Sequence, residues 1–429
     1  MSSRMTRAAR LLAAGTLLVG GIGVVPAAQA AHPHAAVKYA IGVSVPFLEL
    51  KELADGIQRG VQLAVNRANA SNKIPGVSFT VMPLDDTVNG KHDGAKDAQN
   101  ARQFINDGTV IGAVGPLNSS AAKVSMPVYN QSGLVLISPS NTNPDLTAAK
   151  FRAKYEPTSA RTGSPITYFR TCTTDAYQGP AGALYAKKAG FKSVFVTDNQ
   201  GTYGIGLAAA FKAEATKIGL KVLGSAELDA GNIASSAQSL ATTIASAKPD
   251  LVYFGGEYGA KGGAEILADS LRKAGLSKVV FMGGDGILAS DFIAGSSAGG
   301  AQGALATTVG GDPNKDPNAK QFIKEFNKTY AGKPIEAYDT YSYDAASIII
   351  NGFAKAVADG KIKVGDKLTK TSRLEIAKAV AATQDFKGAT GPISFDKNGD
   401  TSNHAIGVYK ATGAGKTGKW SFLALAPQV

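Results

Sequence analysis

Two polar turns, each directly after a short apolar run, carry the side chains best suited to binding a small molecule. Residues 110–114 lead into the turn at 115–120, and residues 134–138 lead into the turn at 139–143. In an open α/β sheet such turns lie at the carboxyl ends of strands, where ligands bind. Hydroxyl groups and free backbone N–H groups at the start of a helix bind small anions. The two turns therefore predict an anion site, and a carboxylate would fit it well.

Three glycine-rich loops follow further apolar runs, and each presents an aromatic or acidic side chain. Tyr203 stands where we expect a helix to begin facing a cleft. Glu257 and Tyr258 share the second loop, and Asp285 lies in the third. The flanking glycines leave space around these side chains. Because Asp-Gly pairs are also frequent in turns, a binding role and a turn role for Asp285 are both open from the residues alone.

One segment matches the pattern of a hydrolase nucleophile. Residues 295–299 read G-x-S-x-G with Ser297 at the centre, and Asp396 and His404 follow in the chain order of a hydrolase triad. That motif needs a sharp turn from strand to helix, whereas residues 287–294 have the pattern of a helix. We therefore predict that the protein is not an enzyme, and a secreted serine hydrolase is the less favoured alternative.

Two other loops contain fragments of cofactor or metal motifs. Residues 413–419 include Gly-Lys-Thr, but a phosphate-binding P-loop needs glycine where Lys410 stands. Residues 396–400 resemble the start of a calcium loop, but their glycine falls at the fourth place and no glutamate closes the loop. Both segments are predicted as turns between strands, and neither a cofactor nor a metal site is predicted.

The first 30 residues have the features of a secretory signal peptide. Arg4, Arg7 and Arg10 precede an apolar stretch at 11–25, and Ala-Gln-Ala at 28–30 forms a small-residue cleavage site. Residues 1–30 are therefore predicted to be removed on export, which places the mature protein in the periplasm or outside the cell.

Cysteine count and charge narrow the possible anchors and partners. Cys172 is the only cysteine, so the chain forms no intramolecular disulfide, and this residue lies too far from the signal segment to carry a lipid anchor. The formal net charge is +12 at pH 7, but the lysines are scattered and no basic block contains interleaved aromatic residues. Nucleic acid is therefore not a predicted partner.

Apolar runs of strand length alternate with helical periodicity along most of the chain. The predicted strands are 39–45, 77–84, 110–114, 134–138, 193–197, 221–224, 251–254 and 278–282. Alternation of strands and helices predicts mostly parallel sheets covered on both faces. A polar connection at 144–165 separates two such series, and the final apolar runs at 391–395, 405–410 and 420–425 predict a short β meander. The predicted fold class is α/β, with two Rossmann-like lobes and a ligand cleft between them.

Eight motifs, taken in their order and spacing, carry a family resemblance: IGAVGPLNSS, LISPSNTNPDLT, FRTCTTDAYQGP, VTDNQGTYGIGLA, PDLVYFGG, FMGGDG, IAGSSAGG and GPISFDKNGD. From residue 38 to residue 425 the chain resembles the branched-chain amino-acid binding proteins of ABC importers, which have a type I periplasmic-binding-protein fold. The resemblance implies two lobes joined by a three-segment hinge. Lobe 1 would comprise residues 31–172 and 306–389, and lobe 2 would comprise residues 173–305 and 390–429.

The resemblance also implies which residues bind the ligand carboxylate. Ser119 and Thr142 match the family's carboxylate-binding serine and threonine. Asn118, Ser140 and Asn141 would contribute backbone groups beside them. All five lie in the two polar turns described first.

The second lobe is implied to supply the other ligand contacts. Asp285 matches the acidic residue that holds the ligand ammonium group, and Tyr203 matches the tyrosine of a Y-G-x-G turn. A tyrosine of the side-chain pocket matches either Glu257 or Tyr258, of which Tyr258 is taken as the ligand-binding residue. Phe47 is the candidate for a further pocket aromatic residue.

The function implied by this resemblance is that of an extracytoplasmic solute-binding protein. It would bind an amino acid, with a branched-chain amino acid as the first choice, by closing its hinge. As a monomer it would then deliver the ligand to the membrane permease of an ABC transporter. The alternative is the same fold binding an amide, urea or an aromatic acid, because a fold alone does not decide its ligand.

Overall fold

The computed structural model describes residues 36–259 and 261–428. Its strands are β1 (Val37–Val45), β2 (Val77–Asp85), β3 (Thr87–Val88), β4 (Lys91–His92), β5 (Val110–Val114), β6 (Leu136–Ser138), β7 (Tyr168–Arg170), β8 (Ser193–Asp198), β9 (Lys221–Glu227), β10 (Leu251–Gly255), β11 (Val280–Gly283), β12 (Leu305–Val309), β13 (Phe386–Gly388), β14 (Gly391–Ile393), β15 (Ile406–Thr412) and β16 (Lys419–Leu425). The predicted signal peptide at residues 1–30 lies outside the described residues.

The α-helices cover the faces of the sheets. They are α1 (Lys51–Ala70), α2 (Gly94–Asn106), α3 (Ser119–Ser132), α4 (Arg152–Tyr155), α5 (Pro157–Thr162), α6 (Asp175–Lys188), α7 (Thr202–Lys217), α8 (Ile233–Ala247), α9 (Ala264–Lys273), α10 (Ser290–Gly295), α11 (Lys320–Thr329), α12 (Asp339–Ala358) and α13 (Lys370–Ala381). None of the helices in the described part of the chain is long and apolar enough to cross a membrane.

The first sheet contains five parallel strands in the order β2-β1-β5-β6-β7. Side chains of a strand point alternately to its two faces, so Tyr39 and Ile41 of β1 pack with α1 and α12, whereas Ala40 packs with α2 and α3. Because helices cover both faces, every residue of β5 is buried, which explains its unbroken apolar sequence. This sheet and its helices form the first lobe.

The second sheet has seven strands in the order β16-β15-β12-β11-β10-β8-β9. The strands from β9 to β12 are parallel, and β15 and β16 extend the sheet in antiparallel fashion. Apolar side chains of α6 and α7 pack on one face, and those of α8 and α9 pack on the other. This sheet and its helices form the second lobe.

The chain passes between the two sheets after β7, after β12 and after β14. The predicted division of the chain cuts after residue 305, at the first residue of β12, and β12 pairs only with strands of the second sheet. The assignment of residues 31–172 plus 306–389 and 173–305 plus 390–429 to two lobes stays a prediction.

The predicted terminal β meander is wrong in its first strand. The strand β14 pairs with β13 in a separate two-stranded sheet, and only β15 and β16 form neighbouring strands of the second sheet. The physical reason is a carboxylate on α12. Asp344 accepts hydrogen bonds from the backbone N–H groups of Ala389 (2.7 Å) and Thr390 (2.9 Å), and this holds the hairpin against the first lobe.

The polar connection 144–165 does not separate the two series as predicted, because it lies within the first lobe, where it forms the short helices α4 and α5. It leads into β7, a strand of the first sheet that the sequence periodicity did not predict as a separate strand. Arg170 at the end of β7 is fully buried, and its guanidinium donates to the carbonyl oxygens of Asn141 (2.8 Å) and Asn143 (2.9 Å). This arginine therefore fixes the second polar turn against the sheet.

Candidate ligand-binding cleft

A cleft of about 330 Å³ lies between the carboxyl ends of the two sheets. Loops of the first lobe contribute Glu49, His92 and Ser119 to its walls, and loops of the second lobe contribute Tyr203 and Glu257. The first polar turn and two of the three glycine-rich loops thus line one cleft, as the position of strand ends in parallel sheets requires.

Asp285 lies directly after β11 and is almost fully buried. Its carboxylate accepts hydrogen bonds from the amide of Gln178 (2.7 Å), from the hydroxyl of Tyr203 (2.9 Å) and from the hydroxyl of Tyr338. Burial raises the pKa of Asp285, although these three donors lower it in part. A carboxylate held this way is ready to accept a further donor, since its two oxygens have about four lone pairs.

The glycines beside Asp285 are required by close contacts. A Cβ atom at Gly284 would lie 2.4 Å from the hydroxyl oxygen of Tyr203, and one at Gly286 would lie 2.6 Å from the carbonyl oxygen of Gly256. The backbone N–H of Gly286 also donates to the Tyr203 hydroxyl (3.2 Å). Small residues therefore let Tyr203 reach the carboxylate from the start of α7.

The first polar turn ends at the start of α3. Asn118 is the residue before the helix, and Ser119 is its first residue. The carbonyl of Asn118 accepts the N–H groups of Ala121 (3.1 Å) and Ala122 (3.1 Å). The N–H groups that precede them at the start of α3 have no partner within the helix. Ser119 lines the cleft, and its hydroxyl stands beside these donors. The arrangement suits a carboxylate.

The second polar turn supports the first through its side chains. Ser140 donates to the carbonyl of Leu117 (3.1 Å), and the amide of Asn141 donates to the same carbonyl (2.8 Å). The hydroxyl of Tyr168 on β7 donates to the Asn141 side-chain oxygen (3.1 Å). The structure therefore brings both turns together, with the side chains of Ser140 and Asn141 engaged in holding the loop that precedes Ser119.

Thr142 is fully buried beside Asp175, the first residue of α6. Its carbonyl accepts the backbone N–H of Asp175 (2.8 Å). Burial raises the pKa of Asp175 well above its usual range, and the charge of Asp285 adds to this, against a smaller lowering by the Thr142 hydroxyl. Thr142 thus lies deeper than Ser119, next to the carboxyl groups at the base of the site.

The loop after β10 places Glu257 in the cleft wall and Tyr258 in the apolar core. Glu257 lines the cleft and accepts hydrogen bonds from the amides of Asn199 (2.5 Å) and Asn118 (3.4 Å). Tyr258 is buried in the apolar core, and Glu52 at the start of α1 is among the charged groups nearest its hydroxyl. The structure therefore brings Glu257 into the cleft, whereas Tyr258 packs against the first lobe and its ligand contact stays a prediction. Phe47 is partly buried against the same core.

A histidine and a glutamate occupy the cleft wall opposite Glu257. Glu49 accepts hydrogen bonds from the backbone N–H of His92 (2.6 Å), and its carboxylate lies 2.8 Å from the Nδ1 atom of the ring. Burial lowers the pKa of His92, but the bond to Glu49 and the charges of Glu49 and Glu257 raise it more, so the net shift is upward. Sequence reasoning missed this pair, because nothing in the local pattern links the loop after β1 to the β3–β4 hairpin.

Several hydrogen bonds join the two lobes across the cleft. Besides the pair Asn118–Glu257, the amide of Asn143 donates to the carbonyl of Thr202 at the start of α7 (2.9 Å). In this structure the two lobes are therefore joined by hydrogen bonds across the cleft.

The hydrolase motif has a structural explanation. Ser297 donates to the carboxylate of Asp269 on α9 (3.1 Å), whereas His404 lies 2.9 Å from the hydroxyl of Thr173 and stacks on the ring of Tyr177 (3.9 Å between ring centres). The serine and the histidine therefore have different partners and do not form a nucleophile–base pair. Asp269 also accepts backbone N–H groups of the glycine-rich loop, which it shapes.

The other motif fragments lie in turns, as predicted. Residues Gly415–Thr417 form a single 3-10 turn in the hairpin between β15 and β16. Asp396 accepts the backbone N–H groups of Asn398 (2.8 Å) and Asp400 (2.9 Å) through its side chain, which closes a tight turn. Within residues 36–259 and 261–428, no cluster of three histidine, cysteine or acidic side chains is arranged to hold a metal ion.

Comparison with known proteins decides the family. A family model described as "Periplasmic binding protein" matches residues 41–417 of the chain. The chain belongs to the periplasmic binding protein family. This membership fits the two lobes and the cleft between them.

Relatives of this periplasmic binding protein extend over most of its length. It is 29% identical over 374 residues to the "Leu/Ile/Val-binding protein homolog 3" of Brucella melitensis, covering 86% of this chain and 90% of that protein. It is 27% identical over 360 residues to the "Leucine-, isoleucine-, valine-, threonine-, and alanine-binding protein" of Pseudomonas aeruginosa, covering 84% of this chain and 86% of that protein.

Solved structures confirm the predicted fold class. The leucine-binding protein LivK of Thermotoga maritima has a TM-score of 0.71 at 22% identity and covers 90% of this chain and 98% of its own. LivJ of Streptococcus pneumoniae in complex with isoleucine has a TM-score of 0.72 at 23% identity, and the match covers 91% of this chain and 100% of LivJ. A solute-binding protein of R. palustris in complex with benzoate has a TM-score of 0.69 at 22% identity, and the match covers 92% of this chain and 97% of that protein.

Proposed function

We propose that this periplasmic binding protein captures an amino acid in the cleft and delivers it to the membrane permease of an ABC importer. The observation that carries the proposal is the pairing of opposite chemistries across the cleft. A helix start with a serine hydroxyl at Ser119 faces Tyr203, whose hydroxyl is bonded to the buried carboxylate of Asp285. A zwitterionic α-amino acid presents both complementary groups.

The ligand carboxylate binds at the start of α3. Ser119 donates its hydroxyl, Thr142 supplies a second hydroxyl from the neighbouring turn, and backbone groups of Asn118, Ser140 and Asn141 complete this end. Free N–H groups and the positive end of a helix stabilise a small anion without a basic side chain. This explains why no arginine or lysine is needed in the turns.

The ligand ammonium group binds at the opposite end. Asp285 accepts it with Tyr203 alongside, and Tyr258 is assigned to the wall beyond. Burying a charged ammonium group is costly unless it is paired and hydrogen-bonded. The Asp285 carboxylate offsets that cost, and the donors Gln178 and Tyr338 keep it in place.

Capture proceeds by closure of the lobes about the three chain crossings. The amino acid docks on the first lobe, and the second lobe brings Asp285 and Tyr203 onto it. The relatives' names state leucine, isoleucine and valine among their ligands, and this supports an amino acid as the ligand of this chain. The protein acts as a monomer in the periplasm or outside the cell, without a cofactor, nucleic acid or catalytic step.

A thermal-shift panel tests the proposal. The purified protein is heated with each of the twenty amino acids, and with urea, acetamide and benzoate. A ligand at about 100 times its Kd adds about 2.7 kcal/mol of stability, which raises the unfolding midpoint by a few degrees. We expect a rise with at least one free amino acid and none with its N-acetylated or amidated derivative. A rise with urea, acetamide or benzoate alone would replace the amino acid by that class of ligand.

A further inference from the structure

The cleft of this protein is lined mainly by polar and charged residues. Among the described residues that line the cleft, there is no valine, leucine, isoleucine, methionine or phenylalanine. Its walls contain the carboxylates of Glu49 and Glu257, the imidazole of His92, the amide of Asn199 and the ammonium groups of Lys91 and Lys261. An aliphatic side chain placed there would remove water from these groups without replacing their hydrogen bonds, which costs free energy.

Glu257 retains acceptor capacity that the protein does not use. One of its oxygens accepts the Asn199 amide at 2.5 Å, and the other accepts the Asn118 amide only at a long 3.4 Å. A carboxylate has about four lone pairs, so acceptor positions remain on Glu257, which lines the cleft. Asn118 is 3% exposed, and its side-chain oxygen has no hydrogen-bond partner among the described residues. A second buried acceptor thus stands beside Glu257.

We infer that the amino acid bound by this cleft carries a side chain that ends in N–H donors, an amide, ammonium or guanidinium group, and that Glu257 selects it. The inference rests on the proposed function and names its substrate class. Donors at the end of the side chain satisfy Glu257 and the Asn118 oxygen, whereas the side chains of leucine, isoleucine and valine satisfy neither. Selection by unpaired buried polar groups is strong, because the wrong ligand leaves them without partners.

Competition calorimetry with two sets of amino acids tests the inference. Glutamine, asparagine, lysine and arginine form the donor set, and leucine, isoleucine and valine form the aliphatic set. We expect at least one member of the donor set to bind about tenfold more tightly than every member of the aliphatic set, since a hydrogen bond to a charged group has about that effect. Amides and cations within the donor set are distinguished by which members bind.

Variants of Glu257 give the second readout. Glu257→Leu should reduce or invert the ratio of affinities for the two sets, and Glu257→Gln, which keeps the shape, should weaken cations more than amides. Glu325→Gln, at a surface pair with Arg67, is the matched control and should leave the ratio unchanged. Tighter binding of the aliphatic set, or an unchanged ratio in both Glu257 variants, would overturn this inference and leave amino-acid binding intact. Failure of every amino acid to bind would overturn the proposed function as well.

Discussion

The hydroxyl of Tyr338 donates a hydrogen bond to the carboxylate of Asp285, although the two residues stand on different lobes and 53 positions apart. Tyr338 directly precedes α12, a helix of the first lobe, and Asp285 follows β11 of the second. The bond therefore joins the two lobes. It links the geometry of closure to the residue proposed to hold the ligand ammonium group.

Replacing this tyrosine should weaken ligand binding without unfolding the protein. Tyr338→Phe removes one donor from the buried Asp285 carboxylate and one bond between the lobes. A hydrogen bond to a charged group contributes about 1.5–3 kcal/mol, so we expect Kd to rise about tenfold or more in calorimetric titration. Tyr343→Phe is the control, because its hydroxyl accepts a bond from Arg67 at the surface of the first lobe. Equal affinities in both variants would remove Tyr338 from closure.

Removing the hydroxyl of Ser119 alone should weaken ligand binding. Ser119→Ala deletes one donor to the ligand carboxylate but keeps the N–H groups of α3. We expect a loss of about 1–3 kcal/mol in binding free energy, measured as a change in Kd. Ser132→Ala, at the far end of the same helix, is the control for effects on helix stability. If Ser119→Ala binds as tightly as the wild type, the ligand carboxylate lies elsewhere.

The pair His92–Glu49 should stabilise the fold in a pH-dependent way. The pKa of His92 is raised in the folded state, so its contribution is complete below the pKa of the unfolded chain, near 6.5, and is lost as pH rises through the raised value. His92→Gln should cost about 1 kcal/mol near pH 6 and less near pH 9, by urea denaturation. The pKa of His404 is lowered, chiefly by burial, so His404→Gln should show the opposite trend. If the unfolding free energies of the two variants changed with pH in the same direction relative to wild type, the proposed role of the His92–Glu49 pair would be contradicted.

Glu336 should destabilise the folded protein as pH rises. Burial, with the charge of Asp339 added, raises the pKa of Glu336 to about 8. Ionisation above the pKa of the unfolded chain therefore favours unfolding, and the loss of stability accumulates up to pH 8. Glu336→Gln should gain on the order of 3 kcal/mol in unfolding free energy relative to wild type between pH 5 and pH 9.

An exposed carboxylate provides the control for Glu336. Asp359 pairs with Lys355 at the surface, so Asp359→Asn should show no comparable trend over the same pH range. A Glu336→Gln curve parallel to that of wild type would mean that the Glu336 carboxyl stays ionised in the folded protein.

Much of the fold followed from local sequence pattern. Unbroken apolar runs such as Val110–Val114 predict parallel strands covered on both faces, and this run forms the fully buried strand β5. Turns directly after such runs predict where a site forms, because strand ends of a parallel sheet share one edge. Ser119, Tyr203 and Asp285 were placed in one region on that basis, and the structure brings them there.

Other features depended on contacts that no local pattern records. Gln178 reaches Asp285 from 107 positions away, and Asp344 on α12 determines where the β13–β14 hairpin packs. The choice between Glu257 and Tyr258 was open because neighbouring residues after a strand point in different directions. The structure lines the cleft with Glu257 and packs Tyr258 into the core, and the ligand contact of Tyr258 stays a prediction.

The most direct test of amino-acid capture is calorimetric titration of wild type and Asp285→Asn with the amino acid that raises the unfolding midpoint most. The variant keeps the size of the side chain but removes the charge proposed to pair with the ligand ammonium group. We expect one molecule bound per wild-type chain and an affinity at least about 100-fold lower in the variant, since loss of one partner leaves a buried charge uncompensated. Equal affinities for both proteins, with the variant folded by circular dichroism, would contradict the role of Asp285 and with it the proposed mode of binding.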